Sequence, residues 1–317
     1  MTVPLRDRYL GAILGLAVGD ALGTTLEFKA PGTFEPITDM VGGGPFGLAP
    51  GQWTDDTSMA MCLAESLLER GGFDAEDQMR RYVRWWKEGH WSSTGTCFDI
   101  GNTVRASLSA FVQTGNLFSG PTSQTTAGNG SLMRLAPVPL YFAADPELAI
   151  RMAGESSRTT HGARAAVDAC RYFAGVLLGS LAGVPKHVLL GRMYSVVPEL
   201  WRREHLHPAV AVVAAGSFHM KAPPAIKGTG YVVDTLEAAL WAFALTDDFE
   251  SGALAAVNLG NDADTTGAVY GQLAGMYYGI EGIPAEWREP VSRRSELVVM
   301  AAQLFDASRR ADKDHVR

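Results

Sequence analysis

Thr54, Asp55 and Asp56 place a hydroxyl and two adjacent carboxylates directly before a run with helical apolar spacing, in GQWTDDTSMAMCLAESL (51–67). Two chemistries suit these residue types at that place. Thr54 caps a helix, with Asp55 and Asp56 at the positive end of its dipole; alternatively, the oxygens hold a cation. A second cluster, in NLGNDADTTGAVYGQLAGMYYG (258–279), repeats the pattern, with Asp262 and Asp264 two apart and Thr265 next to them at a helix start. An EF-hand does not fit. Counting from Asp262, the fifth position is Thr266 and the twelfth is Leu273, where oxygen-rich ligands are required. Each cluster alone reads as a helix cap. If the fold brings them together, four carboxylates repel one another strongly unless cations neutralise them. Such an all-oxygen set suits Mg²⁺, Mn²⁺ or Ca²⁺ rather than zinc.

Helical periodicity dominates the rest of the chain, which must position these groups. Residues 5–22, 56–70, 75–88, 98–113, 146–155, 163–181, 186–193, 207–219, 233–246, 249–258, 265–278 and 285–309 each place an apolar face at helical spacing. In DTLEAALWAFAL (234–245), Asp234 is the expected cap, with Glu237 three residues on. Only EPITDMV and GTGYVV read as short strands. No linker, charge block or fixed-period repeat divides the chain, so residues 1–317 are expected to form one all-α domain with a polar, frayed tail over about 308–317. Gly42–Gly47 match G-x-G-x-x-G literally, but Pro45 interrupts them and no βαβ unit surrounds them. There is no Gly-Lys pair for a phosphate-binding P-loop and no H-E-x-x-H for zinc.

Apolar residues make up 47% and charged residues 19% of the 317, enough for a large core. A net charge of −7 argues against a broad nucleic-acid footprint. Cys62, Cys97 and Cys170 are scattered, which suits buried thiols in a reducing compartment. The opening LRDRYLGAILGLAVGDALG superficially resembles a secretory signal. Small residues at 11, 15, 19 and 23, however, suit a tightly packed helix, and Asp20 lies within the stretch. No apolar run is expected to reach the ~18 residues that span a bilayer. A cytoplasmic protein without an integral membrane segment is the expectation.

GAILGLAVGDALGTTLEF, WTDDTSMAMCLAESL, GNGSLMRLAPV, TTHG and NLGNDADTTGAVYGQLAG occur in this order between about residues 8 and 280. This series resembles the ADP-ribosylglycohydrolase family. DIGNT (99–103) and GTGYVVDTLEAALWAF (228–243) are most similar to its bacterial branch, typified by dinitrogenase reductase-activating glycohydrolase. The resemblance implies a compact orthogonal multi-helix domain with a binuclear Mg²⁺ or Mn²⁺ site in a central cleft. It implies removal of ADP-ribose from N-linked ADP-ribosyl-arginine on a partner protein. Alternatives are an O-linked ADP-ribosyl group, such as ADP-ribosyl-serine or O-acetyl-ADP-ribose, or a non-catalytic, crystallin-like ADP-ribose-binding protein. The complete acid set weighs against the last.

Residue by residue, the resemblance makes Thr54, Asp55, Asp56, Asp262, Asp264 and Thr265 the metal ligands. Glu27 becomes a candidate for orienting water or substrate, where the residue alone reads as an exposed loop glutamate. Asp99 becomes a catalytic candidate beside the scissile bond. From spacing, Asp99 and Asn102 share a helix face, or Asp99 is an N-cap. Gly128, Asn129, Gly130 and Ser131 offer clustered backbone N–H groups to a pyrophosphate, or form a plain tight turn. His161 matches the family histidine that contacts ADP-ribose; alone it reads as a packing residue. Tyr231 could stack on adenine or pack in the core. Trp85, Trp86 and Trp91 read as core, and 114–127 and 182–227 carry no motif.

Overall fold

A computed structural model describes residues 3–315, with side chains described to residue 310. The chain forms α1 (Leu5–Gly23), α2 (Asp55–Arg70), α3 (Ala75–Glu88), α4 (Asn102–Thr114) and α5 (Pro137–Tyr141). It continues with α6 (Pro146–Arg158), α7 (Arg164–Leu181), α8 (Lys186–Leu189), α9 (Leu200–Arg203) and α10 (Pro208–Ala214). Then come α11 (Val232–Leu245), α12 (Phe249–Val257), α13 (Ala263–Tyr278), α14 (Ala285–Arg288) and α15 (Arg294–His315).

The centre is an antiparallel pair. Gly11, Gly15, Gly19 and Gly23, one per turn on α1, face Gly275, Gly271, Gly267 and Ala263 of α13. A Cβ added at any of these α1 glycines would overlap the carbonyl oxygen opposite, so only glycine lets the backbones approach this closely. This meeting puts the C-terminal end of α1, with Asp20, beside the N-terminal end of α13, with Asp264. Around the pair, α7, α11, α12 and α15 complete one hydrophobic core. Arg8 is nearly buried and closes the far end, donating to Ser180 O (3.0 Å), Met276 O (3.2 Å) and Tyr277 O (3.1 Å), carbonyls at or beside helix C-termini.

Several expectations are corrected. The 22-residue stretch Leu5–Leu26 contains an 18-residue window of mean hydropathy 1.4, long and apolar enough to cross a membrane, contrary to the reading above. That window is 94% buried inside the fold, as an all-round apolar helix must be in a large core. Neither strand candidate forms a strand among the described residues; Tyr231 contributes one isolated bridge to Gly128. Residues 285–309 split into α14 and α15 because Pro290 lies between them. Residues 186–193 and 207–219 hold only the shorter α8 and α10, the latter followed by a 3₁₀ turn, Ser217–His219. Asp234 lies inside the first turn of α11, whose cap position is Tyr231, and accepts instead from Thr229 Oγ1 (2.8 Å). Glu237 pairs with Lys221 (2.8 Å) rather than closing a capping box. The backbone of α15 runs through most of the expected frayed tail, and residues 316–317 lie outside the described ones.

Candidate active site

Residues from elsewhere in the chain bear on the opening question, cap or cation ligand. Thr54 occupies the cap position of α2 in extended backbone, yet its side chain makes no capping bond. Asp20 of α1 does that work. Its carboxylate accepts from Thr54 N (2.9 Å), Thr57 N (3.0 Å) and Thr57 Oγ1 (2.6 Å), and lies 3.0 Å from Thr54 Oγ1. At α13 the arrangement repeats: Asp262 holds the cap position without a capping bond, and Glu27 Oε2 accepts from Ala263 N (2.9 Å). Both helix starts are therefore capped in trans. The acids at these helix starts are thereby spared the capping task, although Asp56 Oδ2 still accepts from the Thr54 and Thr265 hydroxyls and Asp264 Oδ1 from the Thr265 N–H.

Two of their oxygens, Asp56 Oδ1 and Asp264 Oδ2, are buried with no hydrogen-bond partner. Orphaned carboxylate oxygens are rare in native interiors and call for an ion or water. Ligand atoms of Asp20, Asp56 and Asp264 lie within 4.8 Å of one another, as do those of Glu27, Asp262 and Asp264. Asp264 belongs to both trios, so two cation positions would be neighbours. Thr265 Oγ1 stands 3.4 Å from Asp56 Oδ2, and Thr54 Oγ1 is 3.2 Å from the same oxygen. Asp55 lines the cavity but falls in neither trio.

Burial raises every carboxyl here, and like charge adds to it at Glu27, Asp55, Asp56, Asp99 and Asp264. Burial, followed by repulsion from Asp99 and Asp56, raises Asp55 well above the carboxylate range. Burial and then Asp20 do the same to Asp56, and burial and then Glu27 to Asp264. Burial also lifts Asp262, against the pull of Asn129 Nδ2, which donates to it at 3.0 Å. Asp20 is pushed up to about 6 by burial, which its threonine donors partly offset. Cations placed among these groups would remove the repulsion and supply the missing partners.

These groups open onto a cavity of about 490 Å³, lined also by Asp99, Asn102, Gly128, Asn129, Gly130 and His161. Thr54 and Asp56 lie behind its wall, fully buried. Asp99 is neither in α4 nor its cap; Gly101 holds the cap position. The Asp99 backbone sits at φ +56°, a left-handed conformation uncommon outside glycine, so the shared-face argument with Asn102 fails. Both still reach the cavity, from the loop and from the first residue of α4. Burial pushes Asp99 up to about 7, with Asp262 and Asp20 adding to it against a hydrogen bond to Asp264. Glu27 is not exposed but 5% accessible, and burial with the Asp262 charge pushes it up to about 8.

Two expected binding residues, Ser131 and Tyr231, are not among those lining the cavity. Ser131 turns into the core, where Ser157 Oγ donates to its hydroxyl (2.8 Å) and the Cys170 thiol approaches at 3.4 Å. Tyr231 is 38% exposed and its ring is not among the cavity-lining residues; its backbone flanks the glycine loop, with Val232 N donating to Ala127 O (3.1 Å). Trp85 and Trp91 are buried, as core residues should be. Sequence reasoning missed Asp20 as a site residue, although a buried-face acid in the small, apolar run that follows Tyr9 was the available signal. Phe28, 67% exposed at the cavity lip with φ +62° and edge-on to Phe46, carried no such signal.

A sequence model of the ADP-ribosylglycohydrolase family matches residues 1–314. The chain is 42% identical to ADP-ribosylarginine hydrolase Tri1 of Pseudomonas putida (strain GB-1), over 97% of this chain and 80% of that protein. It is 35% identical to the ADP-ribosyl-[dinitrogen reductase] glycohydrolase of Rhodospirillum rubrum, over 93% of this chain and 94% of that one. A solved structure, an ADP-ribosylglycohydrolase-related protein complex, superimposes with a TM-score of 0.84 at 47% identity, covering 96% of this chain and 99% of that one. The carboxylate-rich cavity between α1, α2 and α13 is thus built on the scaffold these relatives share, and the chain belongs to the ADP-ribosylglycohydrolase family.

Proposed function

We infer that this protein is an ADP-ribosylarginine hydrolase, which cleaves the N-glycosidic bond between ADP-ribose and a protein arginine and so reverses mono-ADP-ribosylation. The observation that carries the reading is the pair of trans-capped helix starts, which leaves Asp56 Oδ1 and Asp264 Oδ2 buried, unpartnered and facing one another's clusters. The named activity of the relatives in Pseudomonas putida and Serratia proteamaculans supports the arginine linkage. A cavity of about 490 Å³ is within the usual range for small-molecule sites, about 300–1,000 Å³.

Thr54, Asp55, Asp56, Asp262, Asp264 and Thr265, assisted by Asp20 and Glu27, would hold two divalent cations, Mg²⁺ or Mn²⁺, which when bound supply Lewis-acid polarisation of ribose hydroxyls and water. The protein's own groups do the rest. Cleavage leaves positive charge at the anomeric carbon, and a wall of carboxylates stabilises it. Asp99, lifted to about 7 and aimed into the cavity, is the group suited to passing a proton near neutrality. Glu27 is tied to Ala263 N and orients water or substrate from the α13 side. Asn129 and Gly130 offer backbone N–H groups to the pyrophosphate, the Gly128 N–H being taken by Thr126 O (2.8 Å), and Asn102 lines the same wall.

The test is release of ADP-ribose from a protein modified on arginine, set against one modified on serine, each with Mg²⁺, with Mn²⁺ and with excess chelator. Cation-dependent release from arginine alone is expected. Release from serine alone would overturn the linkage, and chelator-resistant release would overturn the cation assignment.

A further inference from the structure

Arg134 follows the glycine loop and is fully buried, yet it is no part of the machinery described so far. Its Nη1 donates to Gly130 O (3.0 Å), and its Nη2 to Thr160 Oγ1 (2.7 Å). Thr160 Oγ1 in turn lies 2.9 Å from His161 Nδ1. A guanidinium only donates, so the Thr160 oxygen accepts from it. The one hydroxyl proton of Thr160 then needs an acceptor. Thr160 is fully buried, and His161 Nδ1 is the one candidate among the described residues. Nδ1 therefore accepts, and the ring proton sits on Nε2.

The opposite edge of the ring faces the loop that lines the cavity. A Cβ built on Gly130 would come 2.8 Å from His161 Cε1 and 3.1 Å from Nε2, and one on Gly128 would come 3.4 Å from Nε2. That Nε2 has no hydrogen-bonding partner among the described residues, and His161 belongs to the cavity wall. We propose that Arg134 is a positioning residue that acts through Thr160 to hold His161 as a neutral Nε2–H donor for a ligand oxygen at the Gly128–Gly130 loop. The proposal rests on the ADP-ribose reading of the cavity and assigns the ligand oxygen to its phosphate-rich part.

Charge distribution agrees. Burial first, and then the Arg134 charge, hold the His161 pKa down to about 3, so the ring does not become an imidazolium near neutrality. Of the titratable groups nearby, Cys170 of α7 is pushed up to about 11 by burial and stays a thiol, and burial also raises Tyr82, whose ring centroid lies 4.5 Å from the Arg134 guanidinium. The carboxyl groups across the cavity stand beyond the loop, Asp262 tied to Asn129. A neutral donor stabilises a pyrophosphate oxygen without adding a titration to binding.

The experiment uses the full-length protein with histidine labelled in ¹⁵N. In the wild type, two-bond couplings should show His161 protonated on Nε2 alone, unchanged across about pH 5.5–8, the range in which an ordinary histidine titrates. Thr160→Val should release the ring to a tautomer mixture and weaken free ADP-ribose, measured by calorimetry, roughly fivefold to tenfold, as expected for one lost hydrogen bond. Thr160→Ser, which keeps the hydroxyl, should restore both readings. A wild-type His161 protonated on Nδ1, or titrating within that range, would overturn the proposal without needing any variant. So would a tautomer shift in Thr160→Val that leaves affinity unchanged. Wild-type protein that does not bind ADP-ribose at all would sink the functional reading and the donor role together, while the tautomer measurement still reports on the relay.

Discussion

Asp264 shows what a single side chain does here, because it belongs to both carboxylate trios and carries an orphaned oxygen. Asp264→Asn should abolish cation-dependent hydrolysis while leaving the fold intact. In chelator the variant should melt no lower than wild type, since one repelling carboxyl is gone, and it should lose the upward shift that Mn²⁺ gives the wild type. Thermal melts with and without Mn²⁺ decide this; a variant with wild-type turnover removes the assignment. Asp99→Asn should lower kcat by about a hundredfold or more, the usual worth of a proton-transfer group, and change ADP-ribose affinity little. Equal losses in both would reduce Asp99 to a structural role. At this scale the sequence was readable wherever residue type and spacing carried the chemistry, as in the two Thr–Asp clusters. It was not readable for Asp20, whose work depends on a contact with Thr54 and Thr57 some thirty-five residues away. Nor could it be read for Asp99, whose left-handed backbone is set by the loop around it.

The element that governs the site is the α1–α13 contact. Small residues at every fourth position of α1 announced a tight helix, but nothing in the chain named its partner until the glycines of α13 were seen opposite. Gly11→Ala and Gly23→Ala both force a methyl group into a facing backbone, and each should destabilise by roughly 1–3 kcal/mol, as overpacking does. Their effects on cation binding should differ. Gly23 packs against Ala263 and the Asp264 Cα, so its variant should weaken Mn²⁺ binding far more than Gly11→Ala, which pushes on Gly275 and Gly279 at the other end. Similar losses of affinity in the two would mean that the helix pair is only scaffold. A further tie, from Gln272 of α13, holds the strip after the glycine loop: Nε2 donates to Met133 O (2.6 Å) and Oε1 accepts from Ala136 N (2.8 Å). One helix thus positions both the acids and the loop opposite them.

For the molecule as a whole, the crowded acids link stability to pH and to cations. Asp20, Asp99 and Glu27 hold protons in the folded, cation-free protein up to about 6, 7 and 8, whereas unfolded carboxyls release theirs near their ordinary values. The folded state therefore binds more protons, and its stability, full below about pH 4, falls as pH rises through 6 to 8. In chelator, the melting temperature should drop between pH 5 and 8; saturating Mg²⁺ or Mn²⁺ should flatten that slope, because binding releases the same protons. A slope equal with and without cation would refute the linkage. The central helix pair has one more consequence, felt while the chain is being made. The apolar stretch of α1, Leu5–Gly23, leaves the ribosome roughly 240 residues ahead of its partner α13, Ala263–Tyr278. At about 5–20 residues per second, the nascent protein spends upward of ten seconds displaying a greasy segment long enough to be mistaken for a membrane anchor, so its safe synthesis falls to whatever shields emerging chains.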